Sequence, residues 1–147
     1  MKKTLRAIAL GGFLAGVLDL LAGLAIYKPS PWTNFLRSIA RGALGPAAAQ
    51  GGASAAALGL LAHFTVAIGA AAVYVLASKK IKFLVDHPWI AGPIYGLGVF
   101  FFMNYVVIPM SKIGRYPAAY TTTTYEVIAA HLFLVGLPIA LVARRWR

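Results

Sequence analysis

The chain has 147 residues, of which 61% are hydrophobic and 12% are charged; soluble domains carry about 25% charged residues, so this composition excludes an ordinary soluble domain and indicates a membrane protein. The net charge of +11 does not point to nucleic acid, because the basic residues lie in short clusters between apolar runs without a zinc-finger or phosphate-loop motif. Cysteine is absent, which excludes disulfides, thiolate metal sites and a cysteine nucleophile.

Four runs are long and apolar enough to cross a bilayer, since a spanning helix needs about 20 mostly apolar residues. They are residues 7–27, 53–77, 88–110 and 124–143. We interpret the first run as a retained helix and not a signal peptide, because it is long and carries a carboxylate, Asp19, near its centre. The connecting segments are too short for a soluble domain. The sequence therefore predicts one transmembrane domain, residues 1–147, of the all-α class: a four-helix bundle.

The distribution of Lys and Arg predicts the orientation of this bundle. The N-terminus, the loop 78–87 and the C-terminus hold nine basic residues, whereas the loops 28–52 and 111–123 hold five. Cytoplasmic loops carry the larger share of Lys and Arg. Both termini are therefore predicted to be cytoplasmic.

The loop after the first run contains an amphipathic stretch, "SPWTNFLRSIARGALG", residues 30–45. Ser30 suits an N-cap and Pro31 suits the first helical position. The apolar side chains that follow recur at helical spacing: Trp32, Phe35, Leu36 and Ile39. We expect a short helix at the membrane interface. It is either a lid or docking element or, as we favour, a connector that lies in the interface because it is amphipathic.

Small residues mark predicted contacts between spans, because Gly lets helix backbones approach closely in membranes. We expect packing within the chain in preference to dimerisation, and kinks at the prolines at 93, 109 and 138. The predicted packing positions are Gly12, Gly16, Gly23, Gly92 and Gly96.

Ionisable side chains inside spans cost about 2.5–3.5 kcal/mol and are candidate functional groups. Counting residues at 1.5 Å rise places Asp19, His63 and His131 at a similar depth, so they are predicted to converge, together with Asn104 of the third span. Glu126 lies nearer the end of the fourth span, on a different face from His131. These five residues form the predicted buried polar cluster.

Three interpretations of this cluster stay open at this stage. The side chains satisfy one another and lock the bundle, or they relay protons or substrate, since histidine titrates near physiological pH. In the least favoured case, His63 and His131 are axial ligands of a b-type haem, whose propionates would find no clear partner beyond Arg37 and Arg41. No metal is expected, because no set of acids has metal-ligand spacing, and apart from that haem no cofactor is predicted.

Catalysis finds no support in the sequence. No G-x-S-x-G motif surrounds Ser54, and Asp19 and Glu126 are not placed as a close acid pair. The stretch "YTTTTYE", residues 120–126, is expected to cap the fourth span through a capping box between a threonine and Glu126. We predict a non-enzymatic membrane protein whose Asp/His cluster serves transport or a proton-linked envelope function. The alternative is a structural accessory subunit of a larger membrane complex, with a membrane-protein partner or a second copy of the chain.

A resemblance points the same way. The runs "LAHFTVAIGAAAVYVLASKK", "GPIYGLGVFFFMNYVVIPMS" and "HLFLVGLPIAL" resemble a family of small four-span bacterial inner-membrane proteins, distantly similar to YagU-like membrane proteins, over most of residues 38–143. The resemblance implies a four-helix protein of the bacterial inner membrane, with a loose association with acid tolerance and no catalytic residues to carry over. The first loop is shorter than in those proteins. The shared residues are His63, Tyr74, Gly92, Gly96, Pro109, Glu126 and His131.

Overall fold

The computed structural model describes residues 1–115 and 120–146, and every regular element within those ranges is a helix. Four of the helices are long and apolar enough to cross a membrane, which confirms the predicted all-α class. We number the helices in chain order, with a 3-10 turn, Gly45–Gln50, before the third. They are α1 (Lys2–Tyr27), α2 (Thr33–Leu44), α3 (Gly52–Ser78), α4 (Phe83–Asp86), α5 (Pro88–Met110) and α6 (Thr122–Arg145).

The ends of the long helices have local causes. At the end of α1, Lys28 adopts a left-handed conformation (φ 44°) and its N–H donates to the carbonyl of Leu24, and Pro29 cannot continue the helix. At the start of α6, Thr121 and Thr124 exchange bonds between side chain and backbone N–H in a capping box. The predicted box with Glu126 is wrong, because Thr124 already fills that role.

Neighbouring long helices run antiparallel and touch at glycines. Gly12 and Gly16 of α1 lie against Ile68 and Phe64 of α3, and Gly23 lies against Phe35 of α2. In α5, a Cβ on Gly92 would meet the backbone of Leu137 at 2.8 Å, and one on Gly96 would lie 2.0 Å from the carbonyl oxygen of His131. All five glycines singled out from the sequence are buried at helix–helix contacts.

Both termini lie at one end of the molecule, which we name the terminal end. There the guanidinium of Arg6 lies 5.7 Å from the centre of the Trp146 ring. The opposite end, with the loops after α1 and α5, is the loop end. The main apolar cluster joins α1, α3, α4, α5 and α6, and its largest fully buried side chains are Tyr74 and Ile139.

The amphipathic segment forms α2, which packs on α3. The carbonyl oxygen of Leu36 would lie 1.9 Å from a Cβ on Gly59, so only glycine permits this crossing. Leu36 and Ala40 are buried. The helix begins at Thr33, not at Pro31, because the Asn34 side chain donates to the carbonyl of Ser30 and closes a separate turn there (2.8 Å).

Both α5 and α6 contain a π-helical segment, Met103–Val107 and His131–Gly136. Each is followed within two residues by a proline, Pro109 or Pro138. Proline has no N–H and its ring collides with the carbonyl four residues earlier, and π adjustments re-satisfy the backbone groups that this frees. The two prolines therefore account for the two irregular segments.

Candidate functional site

Asp19 of α1 and His131 of α6 face each other inside the apolar helices. Asp19 Oδ1 lies 3.9 Å from His131 Nδ1, and the side chains are 26% and 15% exposed. Asp19 reaches α6 because α1 and α6 are in contact along their length. The two side chains share a depth because their helices run antiparallel, as counting from the span ends predicts.

The surroundings of His131 define which ring nitrogen carries its proton. His131 Nδ1 lies 2.9 Å from the carbonyl oxygen of Val127, one turn earlier. A carbonyl oxygen only accepts hydrogen bonds, so Nδ1 is the donor and carries hydrogen. The Nε2 atom is then the ring nitrogen without hydrogen in the neutral imidazole. The ring of Phe100 meets the imidazole edge-on, with 5.6 Å between centroids.

His63 contacts α1 from another side. Its Nε2 atom donates to the carbonyl oxygen of Gly16 (2.8 Å), and its ring lies edge-on to Phe64. The bond is possible because Gly16 has no side chain between the two helices. His63 thus approaches α1 from α3, whereas His131 approaches α1 from α6.

The other two members of the predicted cluster have different surroundings. Asn104 donates to the carbonyl oxygen of Phe100 in its own helix (2.9 Å). Glu126 is exposed. The structure therefore brings Asp19 and His131 together, whereas the hydrogen bonds of His63 and Asn104 go to backbone carbonyls and Glu126 is exposed.

The two histidines differ in the ring nitrogen that is bonded to the backbone. Haem ligation through Nε2 leaves the other ring nitrogen to donate to a carbonyl or carboxylate. His131 has that arrangement, whereas His63 Nε2 donates to the Gly16 carbonyl, and the haem interpretation stays a prediction. In the described ranges, no group of three or more His, Cys, Asp and Glu side chains could hold a metal ion.

An open groove runs beside the Asp19–His131 pair, between the loop-end halves of α1 and α6. On α1 the lining begins at Ala22, one turn from Asp19 toward the loop end, and on α6 it continues past His131 to Leu134, one turn toward the terminal end. Two charged side chains, Lys28 and Glu126, lie toward the loop end. The other lining residues are apolar: Ala22, Ala25, Ile26, Ala129, Ala130, Phe133 and Leu134.

Two tyrosines to which the sequence assigned no role connect neighbouring helices. Tyr95 of α5 donates its hydroxyl hydrogen to the carbonyl oxygen of Ala70 in α3 (2.7 Å). Tyr74 of α3 donates to the carbonyl oxygen of Leu84 in α4 (2.7 Å). The available signal was the residue type: a buried tyrosine hydroxyl usually finds a hydrogen-bond partner.

Tyrosines also meet at the loop end. The hydroxyl oxygens of Tyr105 and Tyr120 lie 3.1 Å apart, and the ring of Tyr125 lies 6.2 Å from that of Tyr120. The hydrogen bond with Tyr105 raises the pKa of the Tyr120 phenol. These amphipathic rings are of the kind found at a membrane–water boundary.

Comparisons with known proteins found no similar protein. No protein-family model matches the chain, and no curated protein or solved structure is significantly similar to it. The resemblance to YagU-like proteins stays a prediction.

Proposed function

We propose that this chain is a polytopic protein of the bacterial inner membrane, in which four spanning helices form a bundle with both termini in the cytoplasm. Four features support this: the length and apolarity of α1, α3, α5 and α6; their antiparallel contacts at glycines; the excess of Lys and Arg at the terminal end; and the tyrosines at the loop end. The bacterial assignment rests on the family resemblance.

Within this bundle, Asp19 and His131 form a proton-sensitive pair. The observation that carries the proposal is the 3.9 Å approach of a carboxylate to an imidazole between two helices that also enclose a groove. Imidazole ordinarily titrates between about pH 5 and 8. Protonation at Nε2 turns a dipolar contact into an attraction between opposite charges.

The attraction between a protonated imidazole and a carboxylate sets the scale of the proposed effect. Two unit charges 4 Å apart attract by about 4 kcal/mol at an effective dielectric constant near 20, before the cost of desolvation. The charged groups that line the groove beside this pair are Lys28 and Glu126. The Tyr27 phenol of α1 also interacts with Asp19, and α5 presents the uncharged Phe100 ring to His131. Protonation therefore draws α1 toward α6, and the groove between them narrows at low pH.

The proposed function is accordingly a proton-linked change in the contact between α1 and α6, in the service of transport or of a response to acid. No catalytic step is proposed. The bond from His63 to the Gly16 carbonyl joins α3 to α1, and the proposal gives it a structural role.

The absence of native cysteine makes a direct test simple. Ser30→Cys and Thr122→Cys place spin labels on two exposed residues of the loop end, one three residues after α1 and one at the start of α6. In nanodiscs, we expect the distance between the two spin labels, measured by double electron–electron resonance, to be shorter at pH 5 than at pH 8. Asp19→Asn and His131→Gln should each remove that shift.

His63→Gln is the matched control, because it alters a histidine of α3 that also contacts α1. This variant should keep the pH-dependent shift. Equal distances at pH 8 and pH 5 in the parent protein, or a shift that survives Asp19→Asn, would contradict the proposal.

A further inference from the structure

The groove between α1 and α6 is long enough to hold more than half of a lipid chain in one leaflet. Its α1 wall runs from Ala22 to Lys28, about 9 Å at 1.5 Å per residue, and its α6 wall from Glu126 to Leu134, about 12 Å. Half of a bilayer's hydrocarbon core is about 15 Å thick. The walls between are apolar, and four of the lining residues are alanines, which leave room for an occupant.

The charges of the groove are placed at one end. Lys28 directly follows the last residue of α1, and Glu126 lies in the second turn of α6, so both belong to the loop end. Within the described part of the chain, they form no ion pair with each other within 4 Å. One cationic and one anionic group thus line the same groove at its loop end.

We propose that this groove binds one phospholipid with a zwitterionic, amine-bearing headgroup of the phosphatidylethanolamine type. The Lys28 ammonium group binds the lipid phosphate, and the Glu126 carboxylate accepts hydrogen bonds from the lipid ammonium. One acyl chain lies along the alanines toward Phe133. This inference does not depend on the protonation of Asp19 and His131.

The charge pattern selects among headgroups. An anionic phosphatidylglycerol headgroup has no cation for Glu126, so that carboxylate would face an anion. A choline headgroup carries positive charge but has no N–H to donate. We therefore expect the amine-bearing lipid to bind best.

Native mass spectrometry of the full-length protein, released from detergent with added dioleoyl phosphatidylethanolamine or dioleoyl phosphatidylglycerol, tests this. We expect one molecule of the ethanolamine lipid to be retained about two- to fivefold more than the glycerol lipid, the ratio that one solvent-accessible ion pair supplies. Glu126→Gln should bring the ratio close to one. Asp86→Asn, which alters an acid on α4 at the terminal end, should leave the ratio unchanged.

A second variant tests the groove itself. Ala129→Phe fills the wall and should lower retention of both lipids, while Ala57→Phe, at an exposed alanine of α3, should not. Three results would each overturn the proposal. The parent protein retains the glycerol lipid as well as or better than the ethanolamine lipid. Glu126→Gln leaves the preference intact. The third is a dimer of the parent protein that is lost in Ala129→Phe. A second copy of the chain would then occupy the groove.

Discussion

Gly96 is the position where the crossing of α5 and α6 is most directly tested. A Cβ at Gly96 would lie 2.0 Å from the carbonyl oxygen of His131 and 2.7 Å from its carbonyl carbon. Both are backbone atoms, so no side-chain rotation relieves the contact. Gly98, two residues further along α5, has nothing within 4 Å of its ideal Cβ. Gly96→Ala and Gly98→Ala therefore add the same methyl group, but only Gly96→Ala creates a steric clash.

The expected magnitude follows from these distances. Ordinary contact begins near 3.4 Å, so the backbones must separate by about 1.4 Å to admit the methyl group at Gly96. Overpacking of this kind costs about 1–3 kcal/mol. Both variants gain the roughly 1 kcal/mol by which alanine exceeds glycine in a helix. This gain cancels in the comparison, and we expect Gly96→Ala to be less stable than Gly98→Ala by about 1–3 kcal/mol.

Equilibrium unfolding in mixed micelles with a rising fraction of sodium dodecyl sulfate measures this difference through tryptophan fluorescence. Gly98→Ala should unfold at the same fraction of denaturing detergent as the parent protein or at a higher one, and Gly96→Ala at a lower one. Equal midpoints for the two variants would refute the close crossing of α5 and α6 and, with it, the described position of His131.

Two further predictions address orientation and helix packing. In intact cells, a membrane-impermeant maleimide should label Lys112→Cys at the loop end and not Lys80→Cys at the terminal end; the reverse pattern would place the termini outside. Tyr95→Phe should lower the free energy of unfolding by about 0.5–1.5 kcal/mol, because the Ala70 carbonyl loses its donor from α5. The control is Tyr125→Phe, at an exposed ring of the loop end, which should change stability by less than about 0.5 kcal/mol.

The long helices could be located from the sequence because hydropathy and length alone define them. The predicted run 53–77 corresponds to the helix Gly52–Ser78, and the predicted run 88–110 corresponds to the helix Pro88–Met110. The first helix starts earlier than residue 7, at Lys2, because helix formation does not stop at the end of the apolar run. The beginning of α2 depends on one bond from the Asn34 side chain, which no periodicity reveals.

The candidate site was predictable in depth but not in direction. Counting residues predicts that Asp19, His63 and His131 lie at one depth. It does not predict how each helix is rotated about its own axis. Rotation decides that Asp19 faces α6 and that His63 meets the Gly16 carbonyl. A pattern of polar residues in spans therefore yields a set of candidates, and only helix packing selects the pair.

Pro138 explains why the rotation of α6 cannot be predicted by counting 3.6 residues per turn. A π-helical turn accommodates an extra residue in the helix, so the part of α6 before the segment His131–Gly136 is turned relative to the part after it. The later part packs against Gly92 through Gly136 and Leu137. His131, at the start of the segment, is thereby oriented by a proline seven residues later. Pro138→Ala should allow a regular α-helix, rotate His131 away from Asp19, and remove the pH-dependent distance change, although Pro138 contacts neither charge.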